Sequence, residues 1–144
     1  MRLFFDTSVL VAASWEDHPD HDSAFRVYRR ATLSTSCCSV HSVAELYSVT
    51  TRLPVKPPIL PEQCILFIQD LKERLSLITL TGAEYLATVA HMAEAGFSGG
   101  KIYDALILAA AKKAGAEIIY TFNVRDFERI APELKGRIRR PPNP

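Results

Sequence analysis

The stretch RLFFDTSVL, residues 2–10, sets three large apolar side chains, Leu3, Phe4 and Phe5, directly before an acid and a run of good helix positions. Such a run reads as a fully buried strand that leaves the sheet at Asp6 and turns into a short apolar helix over 6–14. A parallel strand buried on both faces needs helices on both sides, so the first ten residues already point to an α/β sheet.

Working outward, strand and helix patterns alternate to about residue 130. Strands are expected at 36–40, 75–80 and 118–121, with helices at 24–31, 42–52, 62–74, 81–95 and from Lys101 through the apolar run 105–111. A helical turn at 127–130 and a short edge strand at 137–140 close the chain. Residues 53–61 hold prolines 54, 57, 58 and 61 and read as a rigid linker between helices. The second strand should lie beside the first, and the third at the sheet edge.

With 144 residues, the chain has the size of one domain, expected over 1–144. Its 48% hydrophobic and 23% charged residues argue against disorder and against a membrane protein. No signal-peptide pattern opens the sequence, so a cytoplasmic location is expected. Cys37, Cys38 and Cys64 are odd in number, with the first two adjacent and facing opposite ways on a strand. They read as small core hydrophobes rather than a disulfide framework. A net charge of +1 decides nothing about nucleic acid, but Lys135, Arg137, Arg139 and Arg140 make a basic tail.

If the strands are parallel, Asp6, Glu45, Asp104 and the pair Asn123 and Asp126 all fall at one edge of the sheet, where ligands bind in open α/β folds. Carboxylates gathered there repel one another unless a cation lies between them, and hard oxygen ligands suit Mg²⁺ or Mn²⁺. Each acid also has a plainer explanation. Asp6 serves equally as a helix cap, and Thr7 and Ser8 are ordinary first-turn residues. Glu45 follows Ser42 in the capping-box pattern Ser-x-x-Glu, and Thr81 with Glu84 repeats that pattern after another strand. Local sequence cannot separate the two, and strand order favours Glu84 as the cap. Asp104 precedes seven residues without a polar side chain, so a carboxylate at a partly buried helix start needs a cation or donors. His18 and His21 among Asp17, Asp20 and Asp22 lack a metal-ligand spacing and read as a solvated loop. His41 and His91 stand alone, and Trp15 and Tyr47 read as packing residues.

Taken in order, RLFFDTSVL, SVAEL at 42–46, KIYDALILAAA at 101–111 and IIYTFNVRDF at 118–127 resemble the PIN-domain nucleases, and more narrowly the toxins of VapBC toxin-antitoxin pairs. The resemblance covers nearly the whole chain. It implies a three-layer sandwich on a parallel central sheet flanked by helices. It also implies an acidic pocket for one or two Mg²⁺ or Mn²⁺ ions and metal-assisted hydrolysis of RNA phosphodiesters. By motif position Asp6, Glu45 and Asp104 match the metal-binding and catalytic acids, while Asn123 stands where the family commonly has Asp. Thr121 resembles the family's hydroxyl at that strand end. Implied partners are an RNA substrate, a small antitoxin and a second copy of the chain, with the helix over 62–74 and the one before it as contact surfaces. Lys101, Arg125, Arg137, Arg139 and Arg140 are the cations available to RNA.

Two alternatives share the outline. A haloacid-dehalogenase-like phosphatase needs a second acid two residues after Asp6, where Ser8 stands, and a receiver domain needs paired acids at the first strand. A PIN-fold module that binds RNA or protein without cleaving it is favoured by Asn123 and opposed by the three retained acids.

Overall fold

The computed structural model describes residues 2–144. Five parallel strands form one sheet in the order β3-β2-β1-β4-β5, with β1 Leu3–Phe5, β2 Ser36–Ser39, β3 Ser76–Ile78, β4 Ile118–Tyr120 and β5 Ile138–Arg139. The second strand lies beside the first and the third at the edge, as the sequence reading requires. Crossovers are made by α1 Thr7–Ser14, α2 His21–Arg29, α3 Val40–Arg52, α4 Pro61–Arg74, α5 Gly82–Glu94, α6 Lys101–Lys113 and α7 Val124–Ile130.

Side chains alternate across a strand, so neighbours serve different cores. Phe5, Cys38 and Tyr120 pack with α1 to α4, while Phe4, Cys37 and Ile119 pack with α5 to α7. The result is the expected three-layer sandwich. Phe4 and Phe5 are wholly buried, each worth about 1.5–3 kcal/mol on the scale for burying such side chains. All three cysteines are buried and free. Across α2 and α4, the Tyr28 hydroxyl donates to Asp70 Oδ2 at 2.7 Å, and the Arg74 guanidinium both donates to that oxygen and lies over the Tyr28 ring. Among the described residues, no helix is long and apolar enough to cross a membrane.

The start of α3 differs from the expectation in a way that matters for the site. Strand β2 ends at Ser39, whose hydroxyl accepts the His41 amide and caps α3 from Val40. Ser42 and Glu45 therefore lie inside the helix, and the capping box that the Ser-x-x-Glu pattern offered as the plainer explanation of Glu45 does not form. Thr81 and Glu84 do form one, closing the first turn of α5 in both directions at 3.1 and 2.8 Å. Helix α6 starts at Lys101 as expected, which puts Asp104 in its first turn ahead of the buried Ala105, Leu106, Ile107 and Leu108.

Candidate active site

The chain runs from β1 outward to β3 and returns to place β4 on the other side of β1. That reversal makes a switch point between β1 and β4, the usual ligand crevice of an open α/β sheet. Asp6 leaves β1 there and is almost fully buried, at 3% exposure. It does not close the first turn of α1 with a capping bond. Instead, its Oδ2 accepts the Ser8 hydroxyl at 2.7 Å and the Thr121 hydroxyl at 2.8 Å, the latter from the end of β4. Both hydroxyls are fixed in turn, Ser8 by the Phe122 amide and Thr121 by the Asn123 amide, each at 3.0 Å. Desolvation raises the Asp6 carboxyl above the usual range, while the Ser8 and Thr121 hydrogen bonds pull it down.

Glu45 comes from the second turn of α3. Thr7 Oγ1 donates to its Oε1 at 2.8 Å and lies equally close to Ser42 Oγ, so α1 and α3 are joined through the acid. His41, one turn earlier, places Nε2 3.9 Å from Glu45 Oε1 and stacks on Tyr103 with ring centroids 5.9 Å apart. Asp104 faces them from α6, its carboxyl pushed up to about 6 by burial first and then by the charges of Asp6, Asp126 and Glu45, with Lys101 opposing. Asp6, Glu45, Asp104 and Asn123 line one cavity of about 300 Å³. Asp126 lies beyond it, in an adjoining cavity that also touches Asn123, and its Oδ1 is 3.9 Å from Lys101 Nζ.

The cavity thus brings together the acids expected from the sequence. As placed, however, no three His, Cys, Asp or Glu side chains among the described residues close around a single point as ligands to an ion. The chemistry of the donor set still fits a hard cation. Four carboxylate side chains, Asp6, Asp20, Glu45 and Asp104, line one recess, the charges of Asp6 and Glu45 raise Asp104 against the opposing Lys101, and Mg²⁺ characteristically takes one or two carboxylates directly and keeps several waters.

A family profile described as PIN domain matches residues 3–132. The chain belongs to the PIN-domain family. Among curated relatives, ribonuclease VapC40 of Mycobacterium tuberculosis is 35% identical over 135 residues, covering 90% of this chain and 95% of that protein. Ribonuclease VapC27 of the same organism is 32% identical over 118 residues, 81% of each chain. In fold, this PIN domain is similar to the crystal structure of M. tuberculosis VapC20, a sarcin-ricin-loop cleaving toxin. The TM-score is 0.72 at 17% identity, covering 90% of this chain and 95% of that one. A similar match is made with VapBC2 of Rickettsia felis bound to a promoter DNA fragment, with TM-score 0.62 at 23% identity over 91% and 94% of the two chains.

Several residues of the PIN domain that local sequence did not single out belong to the site. His18 and Asp20, which read as a solvated loop, line the acidic cavity together with Phe122. The His18 ring stacks on Phe122, and its Nδ1 accepts the Asp20 amide at 3.0 Å. His41, which read as isolated, lies beside Glu45. The i,i+4 spacing of His41 and Glu45 on one helix could have paired them, whereas the loop after α1 meets the end of β4 only once the sheet is assembled.

Thr121→Val is a direct test of the hydroxyl relay. Asp6 keeps Ser8 but loses its partner from β4, and the Asn123 amide loses its acceptor. Loss of an outer partner of this kind costs about 10–100-fold in metal affinity or activity. A metal titration and kcat/KM on RNA should both show it, and an unchanged value in both would remove Thr121 from the site.

Proposed function

We propose that this PIN domain is a divalent-metal-dependent endoribonuclease, the toxin of a VapBC-type pair acting in the cytoplasm, with residues 1–144 forming one nuclease domain. The observation that carries the reading is the convergence of Asp6, Glu45 and Asp104 on one recess at the sheet's switch point, in a chain 35% identical to ribonuclease VapC40. Asp6 and Asp104 are the principal ligands, Glu45 is a ligand or the base that orients the attacking water, and Asn123 offers a carbonyl oxygen in place of a fourth acid. A cation held there supplies positive charge for the phosphate and acidifies water at neutral pH, with Mg²⁺ favoured and Mn²⁺ an alternative.

The chain's own part is positional. Ser8 and Thr121 hold Oδ2 of Asp6, and neither hydroxyl engages Oδ1. Thr7 anchors Glu45 Oε1 in the same way. Asp6 and Glu45 thus each have one oxygen committed to the protein, a restraint that fixes orientation before substrate arrives.

Partners follow from the surface. Helix α4 exposes Ile65 and Leu66, and α5 exposes Tyr85, Leu86 and Val89, with Leu86 at 72%. We assign these apolar faces to a small antitoxin and to a second copy of the chain. The α5 face was not among the contact surfaces expected from sequence. It shows only once α5 is seen to bury Met92 alone.

Incubating purified protein with cellular RNA in Mg²⁺ or Mn²⁺ should yield discrete cuts that disappear in chelator and return on adding metal back. Cleavage that survives chelation would exclude the metal-dependent mechanism. Absence of cleavage by folded, metal-loaded protein would favour the binding-only module.

A further inference from the structure

The acidic cavity does not end at Asn123. Phe122 and Asn123 are a wall shared with a second cavity of about 480 Å³, within the range of roughly 300–1,000 Å³ typical of ligand pockets. The charge changes sign across that wall. Asp6, Asp20, Glu45 and Asp104 line the first recess, whereas Arg125 and Arg140 line the second. The one acid of the second, Asp126, lies near Lys101.

Both guanidinium groups are suited to an incoming anion. Arg125 makes no ion pair among the described residues. Arg140 rests over the Phe122 ring, 4.8 Å from its centroid, a cation–π contact that holds the planar fork in place. Among the described residues its only ion pair is a loose one, 3.6 Å from Asp20 Oδ1. The rest of the basic tail is elsewhere. Arg139 lines neither cavity, and Arg137 donates to the Ala116 carbonyl.

Resting on the ribonuclease reading, we propose that this second cavity is the subsite for the nucleotide flanking the scissile bond of a single-stranded RNA, its phosphate held by Arg125 and Arg140. Consecutive phosphates of one strand need separate compensation. The phosphate over the acids depends on a divalent cation, and the next one meets two guanidinium forks, whose geometry matches phosphate oxygens. Two recesses of opposite charge separated by the Phe122 and Asn123 wall suit an unpaired strand that can splay, not a rigid duplex.

The test is anisotropy of a short fluorescein-labelled single-stranded oligoribonucleotide across a salt series in chelator, with kcat/KM on the same RNA in Mg²⁺. Arg125→Gln and Arg140→Gln should each weaken binding and reduce the slope of log affinity against log salt by about 0.7, the value for one phosphate contact on a single strand. Arg140→Lys should keep most of the slope, and Arg139→Gln all of it. Thermal melts of these surface variants should match the parent. Unchanged slopes for Arg125→Gln and Arg140→Gln, an equal loss in Arg139→Gln, or an equal effect on duplex RNA would each overturn the subsite. Failure of the parent protein to cleave with metal present would count against the ribonuclease reading, while the binding slopes would still decide the subsite.

Discussion

Asp104→Asn is expected to abolish metal-dependent RNA cleavage and, without metal, to raise the melting temperature at pH 7.5 but not at pH 4. The two effects share one cause. Asp104 is held in a recess with Asp6 and Glu45, and its carboxyl is pushed from 3.8 to about 6 by burial and by its acidic neighbours. Below about pH 4 the group is protonated in both folded and unfolded chains and costs nothing. As pH rises from about 4 to about 6, the unfolded chain ionises first, so metal-free protein loses stability across that window. Above it the full cost stands. Asp104 is half-buried and solvent screens part of the repulsion, leaving on the order of 1 kcal/mol, or a few degrees in Tm.

The same charge is what a cation needs. With Asp104 as a ligand, as proposed, protons and metal would compete for it, so apparent metal affinity should fall as pH drops through about 6. Removing a ligand should cost more than the roughly 10–100-fold lost with an outer partner. Calorimetric melts with and without Mg²⁺ at the two pH values, beside cleavage assays, check all of this. A variant that melts like the parent at every pH would show that the repulsion is absent. One that cleaves fully would remove Asp104 from the chemistry.

The second large effect separates two glutamates that look alike in sequence. Glu45→Gln should lower cleavage by about 10–100-fold or more without reducing Tm, because glutamine can still accept from Thr7 while the negative charge beside Asp104 is lost. Glu84→Gln should do the reverse. Glu84 closes the α5 capping box and pairs with Lys113 Nζ at 2.7 Å, interactions that hold its carboxyl down to about 2. A depressed carboxyl stabilises the folded state above its unfolded value near 4.5 and loses that contribution as pH falls toward 2. Glu84→Gln should therefore melt lower than the parent at pH 7, converge with it in acid, and cleave RNA normally. Equal activity losses in the two variants would mean that the site extends to α5.

Much of the architecture was legible in the chain because its causes are local. Phe4 and Phe5 before Asp6, and Ile118 to Tyr120 before Thr121, announce buried strands through consecutive apolar residues, and Gly115 and the proline-rich segment before Pro61 end or begin helices by backbone geometry alone. Alternation of strand and helix then leaves a parallel sheet as the arrangement in which every apolar face is covered. Asp6 was legible for the same reason, since it leaves a strand, and Asp104 because it precedes an apolar helical run, whereas Glu45 shares its local pattern with Glu84.

Only the assembled fold decided what those acids do. Ser39 outcompetes Ser42 as the cap of α3, which frees Glu45 for the cavity, while Thr81 keeps Glu84 as a cap. Thr121 reaches Asp6 across 115 residues, and His18, Phe122 and Arg140 meet at one wall from three distant segments. A capping pattern is set by the nearest few residues and can be read along the chain, but which of two nearby serines caps the helix depends on where the strand before it ends. A hydrogen bond or stack between segments a hundred residues apart depends on sheet order and helix placement, and these come from burying two cores at once.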